Sequence, residues 1–234
     1  MTLPRLVGIN HVALEVGDLD AALELYGRLF DFGMRGRGRG MAFVDMGDQF
    51  LAIAEGRSQE PDGGRHFGLV VDDVEAARAA VRYRRGMDGK ARLVGINHVA
   101  LEVSDLDAAL DLYGRLFGFD LRGRVRGMAF IDMGDQFLAV AEGRSQPPDD
   151  GRHFGLVVDD VDAARAAVAR EGLRVLGGRG RSFDFRDPWG NRFQVVGYRD
   201  IQFERTPGVR RKLGIEDVGK TGAARREISD RGLQ

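Results

Sequence analysis

His98-Val-Ala-Leu-Glu-Val-Ser-Asp-Leu-Asp-Ala-Ala (residues 98–109) recurs in altered form as His153-Phe-Gly-Leu-Val-Val-Asp-Asp-Val-Asp-Ala-Ala (residues 153–164), with seven of twelve positions matching. In the first stretch Val99, Leu101 and Val103 alternate with His98, Ala100 and Glu102, the period of a strand with one face on a core. Ser104 or Asp105 then caps a helix, with Asp107 at the positive end of its dipole. Ala108, Leu112 and Leu116 form its apolar stripe, and Gly118 ends it. Glycine-punctuated strands are expected at about 119–124, 127–133 and 136–142, so the unit reads βαβββ. The second stretch opens a unit of the same grammar. Its strand spans 153–158, its helix about 160–171, and its further strands about 173–177, 181–186 and 192–198. The turn 187–191, DPWGN, joins the last two strands.

A closer repeat overlies this one. Residues 5–81 align without gaps onto 92–168, and 66 of 77 positions are identical. The first copy then stops. A basic, glycine-containing linker follows, with Met87 just ahead of the restart near Arg92, as a tandem duplication would leave it. Nothing in the first copy corresponds to residues 171–234. The expected organisation is a truncated copy with its linker over 1–91, a complete domain over 92–198, and a polar, basic-rich tail over 199–234 with a short helix near 221–229. The truncated copy should expose a sheet edge, which proteins usually cover. Another chain could complete it, or exchange with the second copy could, or it could stay bare. A homodimer, domain-swapped in one version, is the expected assembly.

Composition bounds the function. With 43% apolar and 30% charged residues, the chain can form a core and stay in solution. Thirty-five basic and 36 acidic residues leave a net charge of −1, which excludes a whole-chain basic field for nucleic acid. The glycine-arginine stretches at 35–40, 122–127 and 177–181 lack interleaved aromatics, so an anionic substrate suits them better than nucleic acid. No apolar run approaches a membrane span and no leader pattern opens the chain, so no membrane partner and a cytoplasmic location are expected. There is no cysteine for thiol chemistry.

All four histidines, His11, His66, His98 and His153, stand at the same place in their units. If the apolar side of each strand meets its helix, the other side lines a concave sheet. That side carries His98, Ala100 and Glu102, then His153 and Gly155, then Arg192 and Gln194. Two imidazoles approaching across a pseudo-two-fold, with a polar third corner, form an open metal site, since neutral imidazole is the commonest metal donor.

The motifs HVALEVSDLDAALDLYGRLFGF (98–119), HFGLVVDDVDAARAAVAREGL (153–173) and FRDPWGNRFQVV (185–196) resemble those of the vicinal oxygen chelate superfamily. That superfamily includes glyoxalase I, fosfomycin-resistance enzymes, methylmalonyl-CoA epimerase, extradiol dioxygenases and bleomycin-binding proteins. The resemblance implies an α+β fold of paired βαβββ modules around a concave mixed sheet with helices outside. It also implies a divalent metal ion (Zn, Mn, Fe or Ni) and a small-molecule substrate. Carried over residue by residue, the ligand positions fall on His98, His153 and Gln194, with His11 and His66 as their first-copy equivalents. The extra ligand of the glyoxalase branch falls on Ala139, which cannot bind metal. Gln194 stands where a glutamate is usual, leaving the metal's charge uncompensated and an iron oxygenase triad incomplete. Glu102, about 13 Å along the strand from His98, is a candidate base rather than a ligand. Lyase, isomerase and ring-cleaving oxygenase chemistry stay open, and a metal-free binding protein of the bleomycin-resistance kind is the alternative.

Overall fold

The computed structural model describes residues 3–83, 90–178 and 180–233; Met87 and the central linker lie outside them. The first copy forms β1 (Leu6–Val16), α1 (Leu19–Leu29), β2 (Phe30–Asp31), β3 (Gly33–Gly38), β4 (Met41–Met46), β5 (Gln49–Glu55), β6 (His66–Val71) and α2 (Val74–Tyr83). The second forms β7 (Ala91–Val103), α3 (Leu106–Leu116), β8 (Asp120–Val125), β9 (Met128–Met133), β10 (Gln136–Glu142), β11 (His153–Val158), α4 (Val161–Arg170), β12 (Val175–Gly177), β13 (Ser182–Arg186) and β14 (Arg192–Gly197). A 3₁₀ turn at Tyr198–Asp200 leads into α5 (Pro207–Leu213) and α6 (Gly222–Asp230). The α+β character and unit grammar follow the sequence. Asp18, Asp105 and Asp160 cap their helices, each side chain accepting from the backbone N–H three residues on at 2.9 Å.

The strand pairing departs from a truncated copy beside a complete one. One eight-stranded sheet runs β12-β13-β14-β11-β1-β5-β4-β3. It joins the first unit of the first copy to the second unit of the second. The other sheet runs β2-β7-β10-β9-β8, with β6 also paired to β7. Residues 92–198 therefore do not close on themselves. The copies exchange units within one chain, and β1 pairs antiparallel with β11 where β7 was expected to serve. The physical reason lies in the strands: β6 and β11 are both HFGLVV, so either can pair with a β1-type strand.

Contacts across the pseudo-two-fold hold the halves together. Gln49 Nε2 donates to Ile9 O at 2.6 Å, and Ile96 N–H donates to Gln49 Oε1 at 2.9 Å. Gln136 mirrors this, with Nε2 donating to Ile96 O at 2.6 Å and Ile9 N–H donating to Oε1 at 2.9 Å. At the other end Arg65 pairs with Asp149 and Arg152 with Asp62, again reciprocally.

The main core lies between the sheets and helices α1–α4. A smaller core buries Val7, Val157 and Val196 under Tyr198, Phe203, Leu213 and Ile215 of the tail. Val157 and Val196 share strand parity with Gly155 and Gln194, so the tail covers the far end of the concave face. Arg205 ties it down, donating to Val7 O at 3.0 Å and to Asp135 at 2.6 Å. The expected helix near 221–229 is α6; α5, which turns Val209 and Leu213 toward the smaller core, was not expected.

Candidate functional site

Unit exchange rearranges the histidines. His98 and His153, expected together, lie in different sheets. The ring centroids of His11 and His153 are 5.4 Å apart, and those of His66 and His98 are 5.3 Å apart. Each pair thus takes one imidazole from each copy.

The His11 pair sits in a row of register partners across the eight-stranded sheet. His11 is opposite Phe50 on one side and Gly155 on the other; Gly155 is opposite Gln194, and Gln194 opposite Asp184. The His11 ring stacks on Phe50 at 4.7 Å and lies over Gly155. A Cβ at residue 155 would stand 2.2 Å from both His11 Nδ1 and Asn10 Oδ1, so only glycine leaves room for the imidazole. His11 Nδ1 donates to Asn10 Oδ1 at 2.9 Å and His153 Nδ1 donates to Gly151 O at 2.8 Å. Both Nε2 lone pairs are thereby left for a ligand, the supporting arrangement metal-binding histidines require. Burial pushes His11 down to about 3, with smaller contributions from His153 and Arg35. Burial also lowers His153 against the opposing Gly151 hydrogen bond. Both rings are neutral at neutral pH, the state that coordinates.

Gln194 lies opposite Gly155 on the neighbouring strand, on the same face of the sheet. Its Nε2 donates to Asp184 Oδ1 at 3.2 Å, which leaves its amide oxygen as the group open to a ligand. Arg192 holds the other oxygen of Asp184 at 2.6 Å. Asp184 was not singled out from sequence. Its signal was the alternation in Ser-Phe-Asp-Phe-Arg (182–186), which places it on the Gln194 face. Among the described residues no group of three or more His, Cys, Asp or Glu side chains could hold a metal ion. Two imidazoles and an amide oxygen nevertheless fit a divalent cation with open positions.

Among the described residues the His66 pair has no equivalent of Gln194 beside it. His98 stacks on Phe137 at 4.6 Å, and His66 Nδ1 donates to Gly64 O at 2.8 Å. Among the described residues no strand lies on the outer side of β6, where β14 lies beside β11. His66 is exposed and His98 half-buried, against 3% exposure for His11.

Glu102 belongs to the His66 side. Its carboxylate lies against Gly64, and its Oε2 is buried without a hydrogen-bond partner. Its first-copy equivalent, Glu15, lies against Gly151 in the same way, two residues before His153, and also has an unpartnered Oε2. Reading the second copy as self-sufficient hid Glu15. Four arginines of the glycine-arginine stretches are paired: Arg35 with Asp45, Arg37 with Asp20, Arg122 with Asp132 and Arg124 with Asp107. Trp189 packs edge-on to Tyr113 at 6.2 Å, and Tyr113 donates to Asp187 of the 187–191 turn at 2.6 Å.

A sequence profile described as the Glyoxalase/Bleomycin resistance protein/Dioxygenase superfamily matches residues 8–91 and 95–195. The metallothiol transferase FosB of Bacillus licheniformis is 28% identical over 116 residues, 44% of this chain and 75% of its own. Glyoxalase I of Zea mays superposes over 83% of this chain and 92% of its own, with a TM-score of 0.60 at 18% identity. A Bacillus subtilis protein superposes over 97% and 96%, with a TM-score of 0.66 at 13% identity. At these identities the superpositions establish the fold. No helix among the described residues is long and apolar enough to cross a membrane.

Proposed function

We propose that this chain, which belongs to the glyoxalase/bleomycin resistance protein/dioxygenase superfamily, is an enzyme with one divalent-metal centre, held by His11, His153 and Gln194. The observation that carries the reading is the convergence of two neutral imidazoles, each with Nδ1 engaged and Nε2 free, beside an amide whose nitrogen is already bonded to Asp184. The name of the Bacillus licheniformis relative, a metallothiol transferase, supports a metal. When bound, a divalent cation acts as a Lewis acid toward adjacent substrate oxygens and stabilises developing negative charge. The protein's own groups divide the remaining work. Asn10 and the Gly151 carbonyl fix the ring tautomers, and Phe50 walls one side of His11. Glu15 is the carboxylate placed to hold or move a proton at Oε2. Lyase, isomerase and ring-opening oxygenase chemistry are all compatible with this set. Ring-opening chemistry is the least favoured, because the triad lacks the carboxylate that iron oxygenases use. The reaction is proposed to take place in the cytoplasm on a small molecule, without nucleic acid.

A second reading has its own support. Gln194 brings no charge, and Arg192 neutralises Asp184, so the centre offers a cation little electrostatic attraction. A metal-free protein that sequesters a small molecule on the same face would need neither.

Elemental analysis after metal supplementation separates the two. The enzyme reading expects about one divalent ion per chain, lost in His153→Ala and in Gln194→Leu. Protein that stays metal-free and is indifferent to both substitutions would favour sequestration. Gln194→Glu is expected to raise metal affinity about tenfold or more, the scale on which such sites respond to changes in their surroundings. It should also destabilise the metal-free protein by setting a second carboxylate against Asp184.

A further inference from the structure

Residues 198–233 line an open groove of about 730 Å³ that shares no residue with the histidine sites. Its volume lies in the range of small-molecule pockets. Its lining combines the apolar Val218, Ile228 and Leu233 with the polar Thr206, Arg210 and Arg225. Four lining residues are cationic (Arg205, Arg210, Lys220 and Arg225) and one, Glu204, is anionic, a net of +3 in a chain of net −1.

The cations fall into two kinds. Arg205 and Lys220 are engaged by the fold: Arg205 pairs with Asp135, and Lys220 Nζ donates to the carbonyls of Tyr198, Ile201 and Phe203. Arg210 and Arg225 are less committed. Arg210 donates through Nη2 to Glu216 O at 2.6 Å and to Val218 O at 3.3 Å, and its Nε has no partner. Arg225 is exposed and enters no ion pair among the described residues. A guanidinium offers a planar fork that matches a carboxylate.

We propose that this groove is a binding site for an amphiphilic organic anion of the medium-chain carboxylate type. The carboxylate meets Arg225 and Arg210, and the apolar chain lies against Val218, Ile228 and Leu233. The basic tail has no counterpart in the first copy, and the proposed metal centre does not use it.

Isothermal titration of the full chain with decanoate tests this, with inorganic phosphate as a charge-only probe and decyltrimethylammonium as a cationic amphiphile of similar length. Saturable decanoate binding is expected, with phosphate weaker by about tenfold or more and no binding of the cation. Arg225→Glu, at an exposed position, should weaken decanoate by at least about tenfold while far-ultraviolet circular dichroism stays unchanged. His11→Ala should leave it unaltered. Absence of saturable decanoate binding, equal binding of phosphate or of the cationic amphiphile, or full binding by folded Arg225→Glu would overturn the proposal.

Discussion

The two imidazole pairs are built from nearly the same sequence and have nearly the same separation, 5.4 and 5.3 Å, yet their surroundings differ. Around His11 and His153 the sheet continues through β14 and β13, bringing Gln194 and Asp184 alongside. Around His66 and His98 it stops at β6. The helices show the same contrast. Val161 and Val168 of α4 are 9% and 0% exposed against β13 and β14, whereas their equivalents Val74 and Val81 on α2 are 53% and 60% exposed. Tyr113 is buried with its hydroxyl on Asp187, while Tyr26 has no such turn to reach. A motif therefore supplies an imidazole, and its neighbours decide what stands beside it.

Four experiments would break or sharpen this comparison. The largest effect is expected from the histidines. His11→Ala should lower divalent-metal affinity by more than about 100-fold, beyond what loss of a supporting partner costs, whereas His98→Ala should leave it nearly unchanged. Equal losses in a metal titration would mean the pairs are equivalent after all. Next comes removal of residues 199–234. Exposing Val7, Val157 and Val196 costs about 1.5–3 kcal/mol each, so the melting midpoint should fall by about 10 °C or more. Histidine NMR resonances should move for His11 and His153 and stay in place for His66.

Gly155→Ala forces a methyl against His11 and should cost about 1–3 kcal/mol in chemical denaturation. Gly68→Ala, which crowds the half-buried His98, should cost less because that ring can swing outward. The smallest effect is in pH dependence. His11 is held at about 3 in the fold and returns to about 6.5 on unfolding, so between those values the unfolded chain binds more protons. Metal-free protein should therefore lose stability as pH falls from 6.5 toward 3, and His11→Phe should flatten that slope. An unchanged slope would place the His11 ring in a wetter setting.

Much of the fold was legible because its signals are local. Alternating valines and leucines marked the strands, Asp105 and Asp160 the helix starts, and the 187–191 turn the last hairpin. The placement of His153 and Gln194 on one face was legible by parity, and so was that of His11 as a repeat of His98. What the sequence could not choose was the partner. His11 and His98 stand in identical GINHVALEV segments, and the two edges they face are both HFGLVV. Strand by strand, pairing within a copy and between copies is therefore equivalent. The choice rests on contacts distant in sequence, such as Arg65 with Asp149 and Gln49 with Ile96, which no local pattern announces. Asp184 and Glu15 were missed for the same reason, since their importance depends on which units meet.

The exchange of units also bears on how this gene can change. In an ordinary tandem duplication the shorter copy is redundant and free to decay. Here the shorter copy carries His11, Asn10, Phe50 and Glu15, and the longer one carries His153, Gly155 and Gln194. For the proposed centre neither copy is a spare, so loss of the front copy by recombination would remove His11 together with the residues that support it.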